Sequence, residues 1–388
     1  MPNFTFDLSK RNHADDLIDN LINRSLAKYP PERLERIKAR TEASWKDMGD
    51  QFRDRISYIA MSVLDTEEPN TPDDATDEQK DIIKNLKWIL NNADADDDFF
   101  LSFYSGLEQV TIPSMFHCEK ESLSSSSHVK PVINSPSDVY SLPDADIREG
   151  TMCYEMLRQM AYKHQRTKGR IAVSITDMQG PFSCAAQIWG ITDFMSCLVE
   201  YPNETHHMLS LCTDAIIKYF KAMYNAVDGN LNPIHCPYDI WVPKNCGVAV
   251  SDDFFAICSE SIVQEFSIPY LEKIGEEFGG VTVHSCGRIN HLVKPLSGMK
   301  TLKALNFGSS ETILPEFARE CNPDIMLIVH KTGGIPVGDL PLLSVEEHIR
   351  LCKEVQKTTG VRIFSTSHNF DPAGDSVQRA SWEKAAML

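Results

Sequence analysis

The chain has 388 residues, with 38 Lys and Arg against 55 Asp and Glu, a formal net charge of −17 with histidine neutral. That balance excludes a nucleic-acid binder, whose phosphate contacts need a basic face, and it disfavours a polyanionic substrate unless basic residues cluster locally. No run of about 18 apolar residues occurs, so no membrane span is expected. Residues 1–7 lack the basic and apolar regions of a secretory signal. Eleven cysteines scatter from Cys118 to Cys352 without any Cys-x-x-Cys. The odd count and irregular spacing point to reduced thiols of a cytoplasmic protein rather than a disulfide framework.

Residues 1–98 read as a helical, charged extension. Apolar residues recur at helical spacing over 17–26, 33–63 and 78–90. The acidic connectors 67–77 (EEPNTPDDATD) and 92–98 (NADADDD) read as solvated surface. From residue 99 the texture changes to an α/β alternation. Strands are predicted at 170–176, 246–251, 281–284, 302–306, 325–330 and 361–366. Helices are predicted at 204–227, 257–278, 289–296, 313–320 and 345–359, the last opened by a Ser344-x-x-Glu347 capping box. No Gly-x-Gly-x-x-Gly follows a strand and no phosphate-binding loop occurs. The rhythm therefore predicts a (β/α)8 TIM barrel over residues 99–388 rather than a dinucleotide-binding sheet.

In such a barrel the reactive groups leave the C-terminal ends of several strands. Those ends offer Asp177, Asp252 and Asp253, His284 and Cys286, Asn306, His330, and His368. His284-Ser285-Cys286-Gly287 is the most informative segment. One residue between imidazole and thiol lets both reach one ion from a non-helical turn, and nitrogen and sulfur are zinc donors. A third ligand must come from elsewhere. His368 leads, with Cys236, Cys246 and His330 as rivals. The plainer alternative is a hydrogen-bonded His284 beside a small buried thiol. Asp252 and Asp253 are candidates for acid/base work or for orienting a ligand, and also for capping the following helix. Asp177, Trp241, Asn306 and His330 are expected to bind substrate, with Trp241 as a wall of an apolar pocket.

The order of SDDFFAICSESIVQEFSIPYLEKI (251–274), VHSCGRINHLVKPL (283–296) and FSTSHNFDPAG (364–374), with the helical segment 191–216, resembles the uroporphyrinogen decarboxylase superfamily. The resemblance runs from about residue 99 to about 375 and implies a barrel of that type with an N-terminal helical extension. The decarboxylases carry an Arg-Gln-Ala-Gly-Arg stretch for their polycarboxylate substrate, and this chain has none. Within the superfamily, the His-x-Cys-Gly segment resembles the cobamide-dependent methyltransferases. There the His and Cys bind zinc, which implies His284 and Cys286 here. That branch often places a third Cys ligand where this chain has His368.

The resemblance implies zinc-dependent methyl transfer between a small methylated substrate and the cobalt of a corrinoid. No Asp-x-His-x-x-Gly segment occurs, so the corrinoid is expected on a separate partner protein. A methoxylated aromatic is the expected donor, in the first step of an O-demethylase system. Transfer from methylcobamide to a thiol is the reverse option. A metal-free decarboxylase or lyase is the competing enzyme class. Homodimer formation is left open.

Overall fold

The structure, a computed structural model, describes residues 2, 4–46, 56–59, 71–106, 109–123, 126–234, 240–331 and 340–367. Its strands are β1 (Ser57–Ile59), β2 (Ser102–Phe103), β3 (Lys120–Leu123), β4 (Ser126–Val129), β5 (Ala172–Ser174), β6 (Leu231–Asn232), β7 (Val248–Ser251), β8 (Val281–His284), β9 (Leu302–Gly308), β10 (Met326–Lys331) and β11 (Ile363–Ser367). The order β1-β11-β10-β9-β8-β7 makes one parallel sheet, β2-β5-β6 a second, and β3-β4 an antiparallel hairpin. Backbone hydrogen bonds join the two parallel sheets on both sides. Asp98 N–H donates to the Tyr58 carbonyl at 2.9 Å, and across the other junction Ala249 N–H donates to Pro233 at 3.0 Å and Gly180 N–H to Ser251 at 2.7 Å.

The helices are α1 (His13–Lys28), α2 (Pro31–Trp45), α3 (Asp77–Asn92), α4 (Thr111–Ser114), α5 (Met152–Thr167), α6 (Pro181–Trp189), α7 (Ile191–Glu200), α8 (Pro202–Ala226), α9 (Glu260–Phe266), α10 (Ile268–Phe278), α11 (Val293–Ser297), α12 (Leu314–Glu320) and α13 (Val345–Thr359). Local chemistry sets many of their starts. Asn12, Thr76 and Ser344 form capping boxes with Asp15, Gln79 and Glu347. Proline, which gives up no needed donor there, opens α2, α6, α8, α10 and α12. Alternate strand residues such as Val250, Val283, Leu305 and Val329 are fully buried, as expected of a parallel sheet covered by helices. Among the described residues no single helix is long and apolar enough to cross a membrane.

Two predicted helices are divided. The helical pattern over 33–63 ends at Trp45, and residues 57–59 form β1 instead. β1 is buried at all three positions and pairs in parallel with β11, so the first 98 residues contribute a strand to the main sheet. Short apolar runs fit strand or helix equally well, and the open edge of β11 decides here. The predicted helix 257–278 becomes a tight turn at Asp253–Ile257 followed by α9 and α10. The Ser259 side chain caps α9, and Pro269, which has no N–H to donate, forces a new start at α10.

Candidate metal centre

Three strand ends converge. In register, Ser251 of β7 lies beside His284 of β8, His284 beside Asn306 of β9, and Asn306 beside Ile328 of β10. Register partners in a parallel sheet share a face, so this row points one way. Just past it, the backbone N–H of Asp252 donates to the His284 carbonyl at 2.8 Å. Asp253 then presents its carboxylate to the turn after β8. Its Oδ1 accepts the Cys286 N–H at 2.9 Å and lies 3.5 Å from His284 Nε2. His284 Nε2 is 3.3 Å from Cys286 Sγ. The ligand atoms of Asp253, His284 and Cys286 all lie within 4.8 Å of one another. Two donors at about 2.0–2.3 Å from one tetrahedral ion stand roughly 3.5 Å apart, so the trio fits a zinc-sized ion with one position open.

The turn carrying Cys286 is held firmly. Gly287 adopts φ +87°, and a Cβ there would stand 2.7 Å from the Ala256 Cβ; glycine alone gives both the bend and the space. Thr312 Oγ1 donates to the Gly287 carbonyl at 3.0 Å and accepts the Ile289 N–H at 3.1 Å. Asn290 and Ile313 exchange two further bonds. Cys286 is exposed at the rim. Desolvation first, then the Asp253 and Glu311 carboxylates, push its thiol pKa up. A bound cation would reverse that pressure.

Asp252 turns the other way. It has no exposed surface. Its Oδ1 accepts the Ser183 N–H of α6 at 2.9 Å, and Ser267 Oγ donates to Oδ2 at 3.5 Å. It therefore caps α6, not the turn that follows it in sequence. Burial pushes its carboxyl up to about 7.

The remaining expected residues fall in different places. Asp177 is buried near the cluster, its Oδ1 accepting Ser251 Oγ at 2.9 Å. Asn306 and His330 are buried behind His284, with the two histidine rings 5.9 Å apart. Trp241 requires a correction. It precedes β7, and its carbonyl accepts Trp45 Nε1–H at 3.0 Å. Trp45 in turn accepts from Arg362, which sits before β11. Trp241 thus stands at the N-terminal ends of the strands, opposite the cluster, and Cys246 precedes β7 at the same end. His368 and Cys236 lie outside the described residues.

Glu311 was missed by the sequence reasoning. It follows β9 in the polar run Ser309–Thr312, is 6% exposed, and accepts the Gly308 N–H at 3.1 Å. Burial raises its pKa, and His284 and Asp253 are among the charges it feels. A carboxylate in a four-residue polar run at a strand end was the available signal.

The uroporphyrinogen decarboxylase family model, "Uroporphyrinogen decarboxylase (URO-D)", matches residues 110–229. The match covers α4 to α8 and lies before the metal-centre segments. No curated protein sequence matches the chain. Among solved structures, a methyltransferase from Methanosarcina mazei shares the fold with a TM-score of 0.61 at 14% identity, over 90% of this chain and 98% of that one. The likeness to the superfamily is shown over the matched stretch, and a methyltransferase is similar to the chain along nearly its whole length.

Proposed function

We propose that the two parallel sheets form one β/α barrel of the uroporphyrinogen decarboxylase type, carrying an N-terminal helical extension, and that the chain is a zinc-dependent methyltransferase. It would pass a methyl group between a small substrate and the cobalt of a corrinoid carried by a partner protein. The observation that carries this reading is the convergence of Asp253, His284 and Cys286 at donor spacings suited to one tetrahedral ion. Asp253 is the third ligand this reading proposes among the described residues; His368, the third ligand expected from the sequence, lies outside them. Zinc held by these residues would supply Lewis acidity to the heteroatom that bears the methyl group. The chain's own residues do the rest. Asp253 anchors the Cys286 backbone as well as offering an oxygen. The Thr312 and Asn290 clamps keep the thiol beside the imidazole. A methoxylated aromatic remains the donor of choice, because an ether oxygen is a poor leaving group without such help. The solved methyltransferase of like fold supports the reaction class.

A second reading, a metal-free decarboxylase or lyase, is favoured by the family match at 110–229. Zinc content separates the two. Purified protein should hold about one zinc per chain, lost in His284→Ala and Cys286→Ala with the circular dichroism unchanged. With reduced cobalamin, a methoxyaromatic should generate the methylcobalt spectrum in wild type only. A zinc-free wild type that releases carbon dioxide from an acid would establish the second reading instead.

A further inference from the structure

Asn306 lies directly behind His284, 1% exposed, and its hydrogen bonds assign the proton on that histidine. Asn306 Nδ2 donates to the Ile328 carbonyl at 2.7 Å and is 3.4 Å from His330 Nδ1. A backbone carbonyl only accepts, so the atom facing it must be the amide nitrogen, which fixes which way the amide points. The amide oxygen Oδ1 therefore faces His284 Nδ1. That oxygen only accepts, so Nδ1 carries the hydrogen. When the ring is neutral, the nitrogen without a hydrogen is therefore Nε2, the one facing Asp253 and Cys286.

We infer that Asn306 is a positioning residue for the metal centre. It directs the Nδ1–H of His284 to its own amide oxygen, so that the neutral ring turns its Nε2 lone pair toward the ligand cluster before any ion arrives. It rests on the zinc reading only for the ion that Nε2 would bind; the tautomer itself is a property of the metal-free chain. Asn306 also pins its own orientation to β10 through Ile328, so the sheet register and the imidazole orientation are set by one amide. The substrate-binding role expected of Asn306 gives way to this one, because it touches His284 from behind. The same amide nitrogen meets Nδ1 of His330, which places that ring's hydrogen on Nε2 when neutral.

The test uses full-length, metal-free protein with 15N-labelled histidine. Long-range proton–nitrogen correlation spectra, assigned with His284→Gln, report the tautomer. Wild type should show His284 protonated on Nδ1; finding it on Nε2 overturns the inference without any variant of Asn306. Asn306→Leu removes the acceptor, and His284 should move toward the Nε2–H form. Asn306→Asp keeps an acceptor for Nδ1–H while giving up the donor to Ile328, so the tautomer should hold. Zinc affinity, measured by chelator competition, should fall roughly 10- to 100-fold in the Leu variant and be largely kept in the Asp variant. A purely structural role for the amide predicts the opposite order, since aspartate would set a carboxylate against the Ile328 carbonyl; that order would overturn the inference. If wild type binds no zinc at all, the metal reading fails, and the tautomer spectra still decide the role of Asn306.

Discussion

Asp252 and Asp253 are adjacent, yet their side chains serve different parts of the molecule. Consecutive residues leaving a strand point to opposite sides, and here one side is the N-terminus of α6 and the other is the turn holding Cys286. Asp252 accepts from Ser183 N–H inside the protein, where an unpaired amide is costly. Asp252→Ala should therefore lower stability by about 1–3 kcal/mol, while Asp252→Asn, which keeps an acceptor oxygen, should cost much less. Urea unfolding of the two variants checks this; equal losses would mean the bond is unimportant. Gly180 reports on the same contact. A Cβ there would stand 2.4 Å from Asp252 Oδ2, so Gly180→Ala should cost a similar ~1–3 kcal/mol through overpacking. Asp253→Ala should behave differently. It leaves no buried amide stranded, so stability should change little, while zinc affinity drops by more than the roughly 10- to 100-fold expected of an outer partner. A destabilised variant with normal zinc affinity would contradict that assignment.

Elements bring these residues together, and their ends matter more than their middles. α13 shows how directly some of them are written in the sequence. Ser344 and Glu347 cap it as the capping-box pattern predicts, and it packs on β10 and β11. Ser344→Ala should cost about 1 kcal/mol, with faster hydrogen exchange confined to the first turns of α13; global acceleration would mean the cap controls the whole sheet. The strands β8, β9 and β10 were legible for a related reason. Their β-branched and aliphatic runs are bounded by turn residues, and His284, Asn306 and His330 sit where those runs stop. Chain order also says which end of a parallel sheet a residue occupies. Trp241 lies midway between β6 and β7, where chain order is silent, and its place is set instead by the bond from Trp45, a contact between distant segments. β1 was illegible because a three-residue strand carries too little pattern and is defined by its partner β11. Glu311 was hidden for another reason. Its role comes from burial beside His284 and Asp253, a tertiary fact that a polar run at a strand end only hints at. The pairing of Asp252 with α6 is likewise set by contact between distant segments, with Ser183 lying 69 residues away.

At the scale of the whole molecule, two buried groups pull stability in opposite directions as pH changes. His348 on α13 lies fully buried between Ser309 Oγ at 3.0 Å and Ser365 Oγ at 2.8 Å. Burial, with Lys331 nearby, pushes its pKa from 6.5 down to about 3. Between those values the unfolded chain holds a proton that the folded one does not, so this histidine makes stability rise with pH. Asp252 is the mirror case. Its carboxyl moves from 3.8 up to about 7, so the folded chain holds the extra proton and stability falls as pH rises. Over the shared window of 3.8 to 6.5 each contributes up to about 1.4 kcal/mol per pH unit with opposite sign. In metal-free wild type the two slopes nearly cancel. His348→Gln, which can still bond Ser309 and Ser365, loses the histidine's rising contribution, so its difference from wild type should fall as pH rises. Asp252→Asn loses the aspartate's falling contribution, so its difference should rise. The measurement is unfolding free energy at several pH values through the window, taken as variant minus wild type so that every other titrating group drops out. Parallel curves for all three proteins would mean that neither group holds its shifted pKa in the folded chain. Slopes of the same sign would mean that one of the two buried environments is misassigned.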